Sequence, residues 1–115
     1  MIAPGPATRI FLVPGPTDLR RSFDGLHGLV QSQLAEDPRS GHLFLFCNKP
    51  RTRLKVLCFD GTGLWVCAKR LERGSFTWPD SDSGAKVRLN AAELALLLGG
   101  LELTRVARRN WWRSE

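Results

Sequence analysis

A nuclease or transposase needs several carboxylates converging on divalent metal, to activate water and to stabilise the leaving oxygen. The acids of this chain are dispersed: Asp18 and Asp24 lie near a helical stretch, Asp60 sits in a tight turn, and Asp80 and Asp82 sit in a loop beside Ser81, Ser83 and Gly84. Cap, helix surface, turn former and solvated loop account for them better than a metal centre does. A thiol hydrolase or zinc centre would need His27 or His42 to approach a cysteine. The strand pattern instead points Cys58 and Cys67 to an apolar face, where buried small hydrophobes explain them. Gly61 and Gly63 belong to a hairpin turn and do not form a phosphate-cradling strand-to-helix loop. No catalytic residue, metal site or cofactor is therefore expected.

The cations are organised differently. Residues 49–73 hold Lys49, Arg51, Arg53, Lys55, Lys69, Arg70 and Arg73 against Asp60 and Glu72, and residues 105–115 hold Arg105, Arg108, Arg109 and Arg113 against Glu115. The formal excess of +6 comes entirely from these two places, because the remainder of the chain carries more acids than bases. Charge concentrated on one surface focuses the field on a polyanion, whereas scattered charge mainly confers solubility. Binding a single-stranded nucleic acid also needs exposed aromatic faces on which bases stack. Trp78 near the first basic block, and Trp111 and Trp112 in the second, are candidates for stacking or for docking a protein partner. Two readings stay open: DNA contact through the seven cations of 49–73, and an adaptor that binds a protein with no DNA contact.

The 115 residues make one domain, with an apolar fraction of 43% that sustains a core without disulfides. Three cysteines, an odd number with no C-x-x-C pair, fit reduced thiols in a cytoplasmic protein. No secretory signal and no membrane span is expected from the sequence. We expect residues 1–8 to be flexible, 9–104 to form the folded domain, and 105–115 to be a basic, tryptophan-containing tail.

Within the domain, Arg9–Val13 reads as a short strand ended by Pro14-Gly15-Pro16. Thr17 or Asp18 is expected to cap a helix whose apolar stripe is Leu19, Phe23, Leu26, Val30 and Leu34. Gly25 and Gly28 weaken that helix, and close packing on a sheet would explain them. Leu43–Cys47 is a second strand. Arg53–Phe59 and Leu64–Arg70 form a hairpin about Asp60-Gly61-Thr62-Gly63. Facing Phe59 with Leu64 fixes the register: Arg53 opposes Arg70, Lys55 opposes Ala68, and Leu57 opposes Val66. One face becomes basic far from the turn, and the other, with Leu54, Val56, Cys58, Trp65 and Cys67, reads as core. Ser75–Trp78 and Lys86–Leu89 read as further strands, and Asn90 as the cap of a second helix. The expected class is α+β: a single domain, a mainly antiparallel sheet with a hairpin core, and two helices on one face. Exposed strand edges make a homodimer an open expectation.

The chain resembles a known family at TDLRRSFDGL (17–26), GHLFLF (41–46), RLKVLCFDGTGLWVCAKRLERGSFTWP (53–79) and LNAAELALLLGGLEL (89–103). This is similar to the accessory protein TnpB, or second-orf-like protein, of the bacterial insertion sequences IS66. The order of R-L-K, D-G-x-G-L, K-R-L-E-x-G and F-x-W-P carries the resemblance. It implies a small non-catalytic protein, encoded beside a separate transposase and needed for efficient transposition. It also implies a bacterial cytoplasmic setting, with element DNA, the transposase or the other element-encoded accessory protein as partners and no membrane. The WWR tail matches no motif of the family.

Overall fold

Two strands at the middle of the sheet are apolar at every position, Ile10–Leu12 (β1) and Leu43–Cys47 (β2), and both are wholly buried. A strand apolar on both sides must be covered on both sides. The computed structural model, which describes residues 5–100 and the backbone of 113–114, shows how this is done. Between β1 and β2 runs helix α1 (Phe23–Ser32), and the two strands pair in parallel, with Ile10 opposite Leu43. β3 (Arg53–Phe59) and β4 (Leu64–Arg70) follow as the hairpin, then β5 (Val87–Leu89), α2 (Ala91–Leu98) and the short β6 (Arg113–Ser114). The sheet order is β4-β3-β2-β1-β5-β6. Every neighbouring pair is antiparallel except β1 and β2. The fold is α+β.

The helices lie on opposite faces of the sheet, where the sequence reading put both on one. Leu26, Val30 and Leu34 of the α1 region pack with Phe11, Phe44, Phe46 and Leu57. Leu94 and Leu97 of α2 pack with Ile10, Leu45, Val56 and Val87 on the other side. Alternation along β1 and β2 sends successive residues to opposite faces, so one helix cannot cover both sets.

Helix α1 starts later than its apolar stripe suggests. Thr17 is buried and donates its N–H to the Cys47 carbonyl at 2.7 Å, and Asp18 holds the Arg20 N–H at 3.0 Å. The Lys55 Nζ takes the carbonyls of Leu19 (2.8 Å) and Arg21 (2.9 Å), which are thereby lost to a helical ladder. Ser22 occupies the cap position without a side-chain bond. Helix α2 is capped as expected: the Asn90 side chain accepts from the Glu93 N–H at 2.8 Å, and the Glu93 carboxylate accepts from the Asn90 N–H at 2.9 Å.

Residues 75–78 do not form a strand. They form an irregular segment on the sheet face that α2 also covers, held by Phe76 N–H on the Arg51 carbonyl (2.6 Å), while Gly15 N–H bonds the Pro79 carbonyl (2.8 Å). Gly15 is required there: its φ is +76°, and a Cβ would strike the Ser81 side chain. Phe76 and Trp78 are buried, and Trp78 Nε1 donates to the Val13 carbonyl at 2.9 Å. Trp78 therefore belongs to the core and presents no stacking face. Trp65, read as core, is 54% exposed instead. The flexible segment of the sequence reading includes Gly5–Thr8, which is a turn closed by Thr8 N–H on the Gly5 carbonyl.

The hairpin has the expected register, from Arg53 opposite Arg70 to Phe59 opposite Leu64. Asp60 organises its turn. One carboxylate oxygen accepts from the N–H groups of Thr62 and Gly63, both at 2.9 Å, and the other accepts from Trp65 Nε1 at 2.7 Å. This bond holds the indole over the turn at the sheet's outer edge and explains its exposure. The backbone bond from Thr62 and the indole bond hold the Asp60 carboxyl well below the usual carboxylate range.

A Cβ on Gly28 would meet open space, so close packing does not explain this glycine, and Gly28→Ala should raise stability in urea denaturation by about 0.5–1 kcal/mol. Because Asp60 titrates lower folded than unfolded, its contribution is present above about pH 4 and lost as pH falls below that. The urea midpoint of Asp60→Asn should therefore lie below that of the native protein at pH 7, with the gap closing under acid.

Candidate nucleic-acid interface

The far end of the hairpin, the Asn48–Thr52 loop and residues 16–20 enclose an open groove of about 1020 Å³. Its cations include Lys49, Arg53, Lys55, Lys69 and Arg70 from the expected set. β3 and β4 supply Arg53 and Arg70 as direct cross-strand neighbours, so both side chains leave the sheet on one face. Toward the turn, the same face becomes core, where Leu57 is buried and Leu64 and Val66 pack beside it under α1. The sheet thus changes from apolar to basic along a single strand pair.

The cations are not equivalent. Lys55 is half-buried and committed to the Leu19 and Arg21 carbonyls, so it ties residues 19–21 down as a wall of the groove. Lys69 Nζ donates to the Leu98 carbonyl at 2.6 Å, at the end of α2, where a positive charge also complements the helix dipole. Arg51 does not line the groove: its guanidinium bonds Asp80 at 2.7 Å and its backbone sits at φ +61°. Arg73 is exposed and also outside the lining. Arg70 approaches Glu72 only to 3.8 Å and stays 61% exposed. Arg53 and Lys49 are exposed, with no side-chain partner among the described residues.

Arg20 also lines the groove and was not singled out from the sequence. Its side chain is 91% exposed and grips Asp18 with Nε and Nη2 together, the shortest distance being 2.7 Å. That guanidinium, by hydrogen bonding, lowers the Asp18 carboxyl to about 2. Asp18 is therefore a fixed negative charge in the groove. With Glu72 it offsets part of the field, leaving six cations against two carboxylates in the lining. The D-x-R spacing was a legible signal for the Asp18–Arg20 pair. Its approach to the hairpin was not, because that depends on Lys55.

The other candidate groups have structural roles. Cys47 and Cys58 are buried, and burial pushes the Cys47 thiol up to about 12 and raises Cys58 as well. His42 Nδ1 accepts from the Arg9 N–H at 2.9 Å, and its ring stands edge-on to Phe11. Among the described residues no three metal-ligating side chains gather, and no helix is long and apolar enough to cross a membrane. Trp111, Trp112 and the tail arginines 105, 108 and 109 lie outside the described residues. Of the tail, only the backbone of Arg113 and Ser114 is described, pairing with Arg88 and Val87.

Comparison with known proteins gives this arrangement a family. Residues 8–108 match the family described as IS66 Orf2 like protein. In Sinorhizobium fredii (strain NBRC 101917 / NGR234), the uncharacterized protein y4jC is 39% identical over 109 residues, covering 95% of this chain and 92% of that protein. The uncharacterized protein y4hO of the same strain is 37% identical over 102 residues, covering 89% and 88%. No solved structure matches the chain. The match across nearly all of the sheet, both helices and the groove shows that this chain belongs to the IS66 Orf2-like family of insertion-sequence accessory proteins.

Proposed function

We propose that this protein is a non-catalytic, cytoplasmic accessory factor that assists transposition of its insertion sequence by holding DNA phosphates in the groove. The observation that carries this reading is the Arg53–Arg70 pair. Like charges directly opposite in an antiparallel ladder are destabilising, and here they stand at the exposed mouth of a groove that already holds a cationic excess. A phosphate between them would remove the repulsion and form charge-assisted bonds with both guanidiniums. Lys49 and Arg20 extend the cationic strip, while Lys55 and Lys69 act mainly by fixing its walls. Such contacts position a nucleic acid without reading its bases.

The acids in the groove favour a second reading. Asp18 and Glu72 would repel a phosphate chain locally but would suit a protein surface of mixed charge. On that reading the protein is an adaptor for the transposase or the other element-encoded accessory protein, and does not touch DNA.

Fluorescence anisotropy against salt, using a duplex carrying the element's terminal sequence, distinguishes the two. Arg53→Ala with Arg70→Ala should weaken binding and reduce the magnitude of the log–log salt slope by about 2, one per lost phosphate contact. Arg39→Ala, exposed and away from the groove, is the control. An unchanged slope would remove the groove from DNA binding. No DNA shift at low salt, together with capture of the transposase that is lost on deleting residues 105–115, would establish the adaptor.

A further inference from the structure

β4 closes one end of the sheet, and among the described residues its only strand partner is β3. The direction of its backbone groups can be read from its two ends. Gly63 C=O accepts from Asp60 and Leu71 N–H donates to Thr52, so odd-numbered residues turn their N–H and C=O toward β3. The even-numbered residues Leu64, Val66, Ala68 and Arg70 therefore aim theirs away from the sheet. None of these outward groups has a partner among the described residues. An edge of this kind is a template for another strand.

The charge along β4 selects what that strand is. Leu64 to Ala68 are uncharged, and Lys69 and Arg70 stand together at one end. A parallel in-register copy would set each cation beside itself. An antiparallel copy about a two-fold axis at Cys67 pairs all seven residues and opposes no like charges. In it, Arg70 faces Leu64 and Ala68 faces Val66, and these are the residues whose backbone groups point outward, so the ladder closes. Lys69 meets Trp65, which is 54% exposed and offers its ring to the methylene stem of the lysine, whose ammonium stays on the Leu98 carbonyl. Cys67 meets its own copy at a non-hydrogen-bonded position, with Cα atoms about 4.5 Å apart.

We infer that the β4 edge pairs with the β4 edge of a second copy of this chain, in this register. The two grooves then open on the same face. Each reaches Ala68, and the two Ala68 residues would stand diagonally across the axis at about 7–8 Å, which joins the grooves into one strip. The dimer is independent of what the strip binds, so its test uses no DNA.

Sedimentation of the full chain from about 1 to about 100 μM, the range of ordinary weak association, should show the 12.9 kDa mass doubling. Oxidation with copper–phenanthroline should link the copies through Cys67, since the separation suits a disulfide. Cys67→Ser should abolish the link and keep the dimer. Ala68→Pro removes one outward N–H and no bond to β3, and should yield a folded monomer, folding being checked by its urea transition. A monomer throughout the range, a dimer that survives in folded Ala68→Pro, or a native dimer that forms no Cys67 link would each overturn the inference. If Ala68→Pro does not fold, the link in the native chain decides.

Discussion

Everything in this molecule is arranged around two strands that water must not reach from either side. β1 and β2 carry apolar side chains above and below the sheet, and leaving either face open would expose a contiguous apolar surface. The parallel pairing of these strands requires a crossover, and α1 supplies both the crossover and one cover. The second cover comes from α2 and from the irregular Phe76–Trp78 segment. The helices are divided between the faces for this reason, and the local preference of either helix has no part in it.

The groove is a by-product of that arrangement. The chain leaving β1 must turn before α1 begins, and residues 16–21 pass the far end of the hairpin as they do so. Thr17 is pinned to the Cys47 carbonyl and the next turn is pinned by Lys55, so the passing segment becomes a wall. Several of the positive charges that made the sequence look basic are already employed: Arg51 braces Asp80, Lys55 holds carbonyls, and Lys69 closes the end of α2. Arg53, Arg70 and Lys49 are the members of the expected set left to face a partner from the groove.

The parts of the structure legible in the sequence are those decided by neighbours along the chain. The Asp60-Gly61-Thr62-Gly63 turn set the register of seven residue pairs, and Asn90 with Glu93 marked the start of α2. What could not be read depended on distant partners. The strand pattern put Trp65 inside, but a carboxylate five residues away holds its ring at the edge. Trp78 resembled a stacking residue beside cations, yet the Val13 carbonyl, far off in sequence, takes its indole N–H within the core. The apolar stripe from Leu19 suggested an earlier helix start, and only Lys55, two strands later, shows why the helix waits until Phe23. Cross-strand register placed Arg53 beside Arg70, so the centre of the groove was visible, but its Arg20 wall was not.

The position of β1 also governs the order in which the chain can fold. It pairs on one side with residues 43–45 and on the other with 87–89, whereas the hairpin joins residues that are close in sequence. Short loops close at less entropic cost than long ones, so the hairpin and its union with β2 can form first. The innermost strand is then among the last to be enclosed on both edges, because its second neighbour arrives only when the chain has been made as far as Leu89. On the ribosome, this leaves Ile10, Phe11 and Leu12 without their final shelter until most of the protein has been synthesised.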